Sequence, residues 1–299
     1  MNKIKFQGIY SALFSIYDKN MDVKRESVEA LMDYNLRNGI QGFYVCGNTG
    51  ECTILPNKTR IQMLETVKGH APEGTKIIAH IGAGHFDDTK ELLMHSNEVG
   101  VDAVSSLPPS LTTYYSPEEI IEYYKYIASH SNSPVLAYVH PTTLKCDVMW
   151  FVNKIMEIDN MIGIKLTVPD YYIFEKIRSQ YGEGINILNG PDECLASGLL
   201  VGADGAIGTS YNLMPATACK IYDCFTKGDF MKAREYQQKL NRVIEILLGH
   251  NLAFMKIPLT VLGIDIGYTA EPAHMPDKAE ADEILKKLEQ TEFAHEAQL

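Results

Sequence analysis

The sequence has no excess of positive charge, no apolar run long enough to cross a bilayer, no C-x-x-C pair and no Gly-x-Gly-x-x-Gly fingerprint after an early strand. Each absence removes a class of function. With 27 Lys and Arg against 38 Asp and Glu the formal net charge is -11, which excludes the basic face that nucleic acid or an anionic membrane demands. The start, Met1-Asn2-Lys3-Ile4-Lys5-Phe6, lacks the apolar stretch of a secretory signal, so the expected location is cytoplasmic. The six cysteines, Cys46, Cys52, Cys146, Cys194, Cys219 and Cys224, are scattered and have no histidine cluster at metal-ligand spacing. Free thiols and no metal site are expected. Cys46 and Cys52 bracket a glycine-containing loop, where small semi-buried fillers are the first expectation and a redox or nucleophilic role the second.

What is present is an alternation. Short apolar runs at 8–13, 42–46, 76–82, 101–107, 134–138, 162–166, 185–189 and 205–208 read as eight strands, with amphipathic stretches between them. Ser27, Asn57 and Ser116 read as helix N-caps, the last followed by Pro117 and by Glu119 three residues on. Further helices fit 87–99, 147–158, 170–181 and 194–201, and Gly39, Gly100 and Gly202 fall where a left-handed C-cap would end one. Strict alternation with near-continuous apolar strands implies a parallel sheet covered by helices. Eight repeats predict an α/β fold, a (β/α)8 TIM barrel over residues 1–214. Residues 215–299 then supply barrel helix 8 and a C-terminal helical extension, with helices at 227–249, 251–263 and 278–288, all in one structural unit. The rival, an open doubly wound sheet, is disfavoured by the missing dinucleotide fingerprint.

In such a barrel the chemistry lies at the C-terminal strand ends. Strand 6 carries Lys165 within Met161-Ile162-Gly163-Ile164-Lys165-Leu166-Thr167, an ammonium in an apolar strand. A lysine there either snorkels to water or pairs with a carboxylate. Otherwise it is desolvated, and a lysine held partly neutral is a nucleophile towards carbonyls. Strand 5 ends at Tyr138, which is either a core tyrosine or a proton shuttle whose pKa a nearby cation lowers. Adjacent strands run about 4.8 Å apart, so both groups reach one small substrate. The loop Gly47-Asn48-Thr49-Gly50-Glu51 is either a turn or an anion cradle in which backbone N–H groups, Asn48 and Thr49 converge.

Taken with Tyr138-Val139-His140-Pro141, Gly163 to Thr167 and Gly202-Ala203-Asp204-Gly205-Ala206-Ile207-Gly208, these motifs resemble the N-acetylneuraminate lyase and dihydrodipicolinate synthase family of class I aldolases. The resemblance runs over most of the chain. It implies a (β/α)8 barrel, usually a homotetramer, acting on a small-molecule keto acid and a sugar aldehyde. By that resemblance Lys165 matches the Schiff-base lysine and Tyr138 the proton-transferring tyrosine, while Asn48 and Thr49 match the pair that holds the keto-acid carboxylate. No cofactor is implied beyond the covalent imine between Lys165 and pyruvate, and no metal.

Within the family the sequence is closer to the N-acetylneuraminate lyase branch. Lys165-Leu166-Thr167 matches its Lys-x-Thr pattern. Gly190-Pro191-Asp192-Glu193 resembles the segment whose carboxylates bind a polyhydroxyl tail, and Thr209 matches a tail-binding serine. Thr143 stands where the synthases carry an arginine. The departures are Asn48 for a serine or threonine, His140 for an apolar residue lining the sugar pocket, and Pro191 for an aromatic. The segment 108–115 is also longer than its counterpart, so Tyr114 and Tyr115 are both candidates to enter a neighbouring subunit's site. The expected reaction is reversible cleavage of a 2-keto-3-deoxy sugar acid, N-acetylneuraminate first, to pyruvate and N-acetylmannosamine. Condensation of pyruvate with another aldehyde, dehydration of a keto-deoxy sugar acid and a non-catalytic keto-acid-binding barrel are the alternatives.

Overall fold

Eight parallel strands pair in sequence order and close on themselves in the computed structural model, which describes residues 5–109 and 115–298. They are β1 (Gly8–Ala12), β2 (Gly42–Val45), β3 (Lys76–His80), β4 (Ala103–Ser106), β5 (Val135–Val139), β6 (Met161–Leu166), β7 (Asn186–Asn189) and β8 (Gly205–Gly208). The outer ring holds α1 (Arg25–Arg37), α2 (Asn57–His70), α3 (Phe86–Val99), α4 (Pro117–His130), α5 (Val148–Met156), α6 (Tyr171–Tyr181), α7 (Leu195–Leu200) and α8 (Pro215–Thr226). Beyond it lie α9 (Phe230–Leu247), α10 (Leu252–Lys256), α11 (Lys278–Leu288) and α12 (Phe293–Glu296). The expected (β/α)8 TIM barrel is the observed fold, and all eight strands fall within a residue or two of the sequence reading.

Alternation along each strand separates two cores. Side chains such as Ile9, Val45, Ala137, Ile164 and Ile187 face outward and pack against the helices. Tyr10, Tyr44, Ile78, Leu136, Tyr138, Leu188 and Ile207 face inward and fill the barrel. The register shifts between β5 and β6: Val135 pairs with Met161 but Leu136 with Gly163, leaving Ile162 as an extra residue. Gly163 is required there, because a Cβ would stand 1.9 Å from the Asn186 carbonyl oxygen. Past the shift, Tyr138 pairs with Lys165 and Lys165 with Leu188, so the lysine shares the inward phase of two interior residues.

Helix starts are less faithful to the sequence reading. Ser116 forms the anticipated capping box with Glu119, with Pro117 in the first turn. Ser27 instead lies inside α1, because the Lys24 carbonyl already accepts the Ser27 and Val28 N–H groups. Asn57 is the first residue of α2, not its cap, and spends its side-chain amide on Asp88 and Glu91. Gly39, Gly100 and Gly202 all take positive φ at the ends of helices, as anticipated.

Candidate active site

Lys165 is 5% exposed, at the C-terminal end of the barrel interior. Its Nζ faces two aromatic rings, 4.2 Å from the centroid of Tyr138 and 4.6 Å from that of Tyr44. Loss of hydration lowers its pKa to about 8, only partly opposed by the charge of Asp192. The cation is tolerated because both tyrosines offer it a ring face. A snorkelling lysine is thereby excluded, and what remains is an amine of which about a tenth is neutral at pH 7.

Tyr138 is buried beside it, and burial pushes its phenol up to about 12. That reverses the lowered value anticipated from a nearby cation, since desolvation of a phenolate outweighs the polar neighbours, Thr167 and Asn48, that would stabilise it. The hydroxyl therefore rests protonated. Asn48 donates its side-chain N–H to the Tyr138 oxygen at 3.4 Å, which leaves the phenolic proton free to point at a ligand. Asn48 Oδ1 in turn accepts from the Cys52 thiol at 3.4 Å. An amide cannot pass a proton along as a hydroxyl does, so the contact of Asn48 with Tyr138 can orient the phenol but not relay its proton.

Thr49 was expected at the carboxylate end of a substrate and Thr209 at its tail, yet their hydroxyls lie 2.6 Å apart. The loop after β2 and the turn after β8 thus meet at one point. Thr167 is two residues beyond Lys165 and its Oγ1 is buried without a hydrogen-bond partner among the described residues. Gly190 leaves room for it, since a Cβ at that position would lie 1.8 Å from the Thr167 oxygen. Asp192 accepts the Ser210 N–H at 2.6 Å, and burial raises its carboxyl to about 6. Glu193 is exposed beside it.

His140, Thr167, Gly190, Asp192, Glu193 and Thr209 line one cavity of about 500 Å³, closed on its far side by Leu213, Ile244, Leu247, Leu248 and Met255. Six of the anticipated site residues therefore line this one cavity, and Thr49 reaches it through the Thr209 hydroxyl. Pro191 lines it too, in the place anticipated for an aromatic. A second cavity, of about 410 Å³, is lined by Asn48, Cys52, His80, Leu107 and Thr143. Tyr115 stands apart from both, on the rim of an apolar groove with Phe86, Pro109, Ile120, Tyr123 and Tyr126. Tyr114 lies outside the described residues.

Several contributors were not anticipated. Tyr44 supplies one of the two faces around Lys165 and donates its hydroxyl to Ser105 at 3.0 Å; its inward strand position was the available signal. Glu51 is buried and accepts from Tyr17 and, at 3.1 Å, from Lys256, so its side chain anchors the loop that holds Asn48 and Thr49. Arg60 is buried and donates to the carbonyls of Cys52, His80 and Gly82, tying the ends of β2 and β3 together. Burial raises the thiols of Cys46, to about 11, and of Cys52, which suits fillers better than nucleophiles. Among the described residues no three His, Cys, Asp or Glu side chains converge as metal donors, and no helix is long and apolar enough to cross a membrane.

The Dihydrodipicolinate synthetase family model matches residues 5–291. The N-acetylneuraminate lyase of Rhizobium meliloti is 31% identical over 278 residues, 93% of this chain and 92% of that protein. That of Lactiplantibacillus plantarum is 30% identical over 272 residues, 90% and 92% of the two chains. Among solved structures, Ruminococcus gnavus sialic acid aldolase superposes with a TM-score of 0.91 at 27% identity, covering 99% of both chains. CdNal from Clostridium difficile, in complex with mannosamine, gives 0.88 at 28% identity over 95% of this chain and 99% of that one. The barrel, its strand-end lysine and tyrosine, and a match over almost the whole sequence place this chain in the dihydrodipicolinate synthetase family.

Proposed function

We propose that the chain is a Schiff-base carbon–carbon lyase that reversibly cleaves N-acetylneuraminate to pyruvate and N-acetylmannosamine. The observation that carries this reading is Lys165, a buried amine held between two tyrosine rings at the end of a barrel strand with its pKa near 8. Its neutral form adds to the C2 ketone of the open-chain sugar acid. The Tyr138 hydroxyl donates its proton to the carbinolamine oxygen, which leaves as water, and the iminium so formed stabilises the tyrosinate beside it. That tyrosinate takes the proton of the C4 hydroxyl. The C3–C4 bond breaks, its electron pair passes to the iminium nitrogen, and an enamine and a free aldehyde result. Tyr138 then returns the proton to C3, and water releases pyruvate. Thr49 and Thr209 hold the carboxylate, while Asp192 and Glu193 accept hydrogen bonds from the hydroxyl tail.

The cavity chemistry favours a neutral polyol over an acidic aldehyde. Two carboxylates and no lysine or arginine are found among the described residues that line it, so a carboxylated or phosphorylated aldehyde would meet like charge. Thr143, the position at which a synthase carries its arginine, spends its hydroxyl on the His140 carbonyl. Apolar surface on the barrel's outer helices supports a homo-oligomer, with a tetramer as the proposed state. Borohydride reduction in the presence of pyruvate is expected to add one reduced pyruvyl group to Lys165 and none to Lys165→Ala, which also loses turnover. Wild-type protein that cleaves N-acetylneuraminate without ever forming this adduct would exclude the mechanism.

A further inference from the structure

His140 holds its ring in a defined tautomer. It stands two residues past Tyr138 on the same strand phase, with the two rings edge to face at 6.1 Å. Its Nδ1 accepts the Thr142 backbone N–H at 3.3 Å and lies 2.7 Å from the Thr142 hydroxyl. A backbone N–H only donates, so Nδ1 must present its lone pair, and the neutral ring carries its proton on Nε2. Burial and the charge of Lys165 both favour that neutral ring. Nε2 makes no hydrogen bond to a described residue, and His140 lines the same cavity as Asp192 and Glu193. The carboxylates there only accept and the threonines do both, whereas the Nε2–H only donates.

The position on the strand selects what it donates to. Tyr138 lies beside Lys165 and serves the atoms nearest the imine; two residues further along a strand is a rise of about 6.6 Å. With Tyr138 serving the C4 hydroxyl and the His140 ring 6.1 Å from that of Tyr138, the Nε2–H faces substrate atoms beyond the bond that breaks. Resting on the lyase reading above, we infer that His140 is a specificity-determining hydrogen-bond donor. It selects aldehydes that carry an acceptor oxygen, an acylamino carbonyl or a hydroxyl, on the carbon next to the aldehyde carbon. With its proton already on Nε2, it recognises the acceptor and does not deprotonate the C4 hydroxyl.

The test is a cycle between protein and substrate in the condensation direction. Wild type, His140→Phe and His140→Gln are each assayed with pyruvate and three aldehydes: N-acetylmannosamine, mannose and 2-deoxyglucose, which lacks the substituent. Wild type is expected to favour the substituted sugars by about tenfold or more in kcat/KM, chiefly through the aldehyde KM. His140→Phe should bring that preference to within about twofold, and His140→Gln, which keeps an N–H donor, should restore most of it. The proposal is overturned if His140→Phe keeps the wild-type preference, or if wild type has none. It is also overturned if both variants lose kcat alike with the aldehyde KM unchanged, the signature of lost proton transfer. Failure of the underlying lyase reading is separately visible as a wild-type protein that forms no reduced pyruvyl adduct at Lys165.

Discussion

An ammonium inside a barrel is tolerated only if something replaces its water, and around Lys165 the replacement is two ring faces, not a carboxylate. A carboxylate would hold the lysine charged, whereas a ring face offsets part of the desolvation and leaves the pKa low. The sign of the pH dependence follows. Imine formation needs the neutral amine, so the rate of pyruvate trapping should rise with pH through about 8 and then level off, where an exposed lysine would keep rising towards 10.4. Tyr44→Leu removes one face, destabilises the cation and should move that profile to lower pH by about one unit. A profile that stays put on this substitution would remove Tyr44 from the account. Tyr138→Phe should still bind pyruvate but trap and cleave about 100-fold or more slowly, because the hydroxyl that protonates the departing oxygen is gone. At this scale the sequence disclosed Lys165 and Tyr138 because polar groups in an apolar strand are costly and conspicuous. Tyr44 escaped notice because a tyrosine at an inward strand position also reads as core, and only the closed barrel shows that it faces the lysine.

Elements are held in place by contacts that periodicity does not reveal. The loop after β2 turns at Glu51, whose φ of 59° is left-handed, a conformation that costs a non-glycine residue about 1 kcal/mol. Its side chain holds it there: the carboxylate is buried against Tyr17 and Lys256, the latter 1% exposed at the end of α10. The helix that supplies Lys256 also places Met255 on the wall of the larger cavity. The motif Gly47 to Glu51 was legible as an anion cradle, but a partner 205 residues away was not, since nothing local marks Lys256 in 251–263 as an ion-pair partner. Glu51→Gln leaves a buried ammonium without its counter-charge and should destabilise the fold by about 3–5 kcal/mol. The double variant Glu51→Gln/Lys256→Met should recover most of that in a thermal melt, while its KM for pyruvate stays raised because the Asn48–Thr49 loop has lost its anchor. A double variant that recovers stability and a wild-type KM together would show the ion pair to be structural only.

The whole barrel was readable because eight apolar strands and their helices recur with one period, and each strand's inner phase needs the other seven to bury it. What a single sequence does not display is which part of the outer ring is left for a partner. Among the large apolar side chains exposed on the described residues are two sets on separate helices of the ring. Phe86 and Tyr115 border the groove with Ile120, Tyr123 and Tyr126 at α3 and α4, while Tyr172 on α6 and Leu200 on α7 are 70% and 65% exposed. Surface of this kind marks contact sites, and two distinct self-complementary patches on one chain generate a dihedral tetramer, each patch alone a two-fold dimer. Light scattering should therefore give a mass near four times the 33.5 kDa chain. Phe86→Glu with Tyr115→Glu should halve it, as should Leu200→Glu with Tyr172→Glu, and all four together should leave a monomer. Because Tyr115 belongs to the segment that the sequence reading directed towards a neighbouring site, the α3–α4 variant should also lower kcat. The α6–α7 variant, whose two side chains do not line the active-site cavity, should leave dimers with wild-type turnover. A wild-type monomer with full activity, or variants that change mass without this asymmetry in kcat, would separate assembly from catalysis and assign the apolar surface some other role.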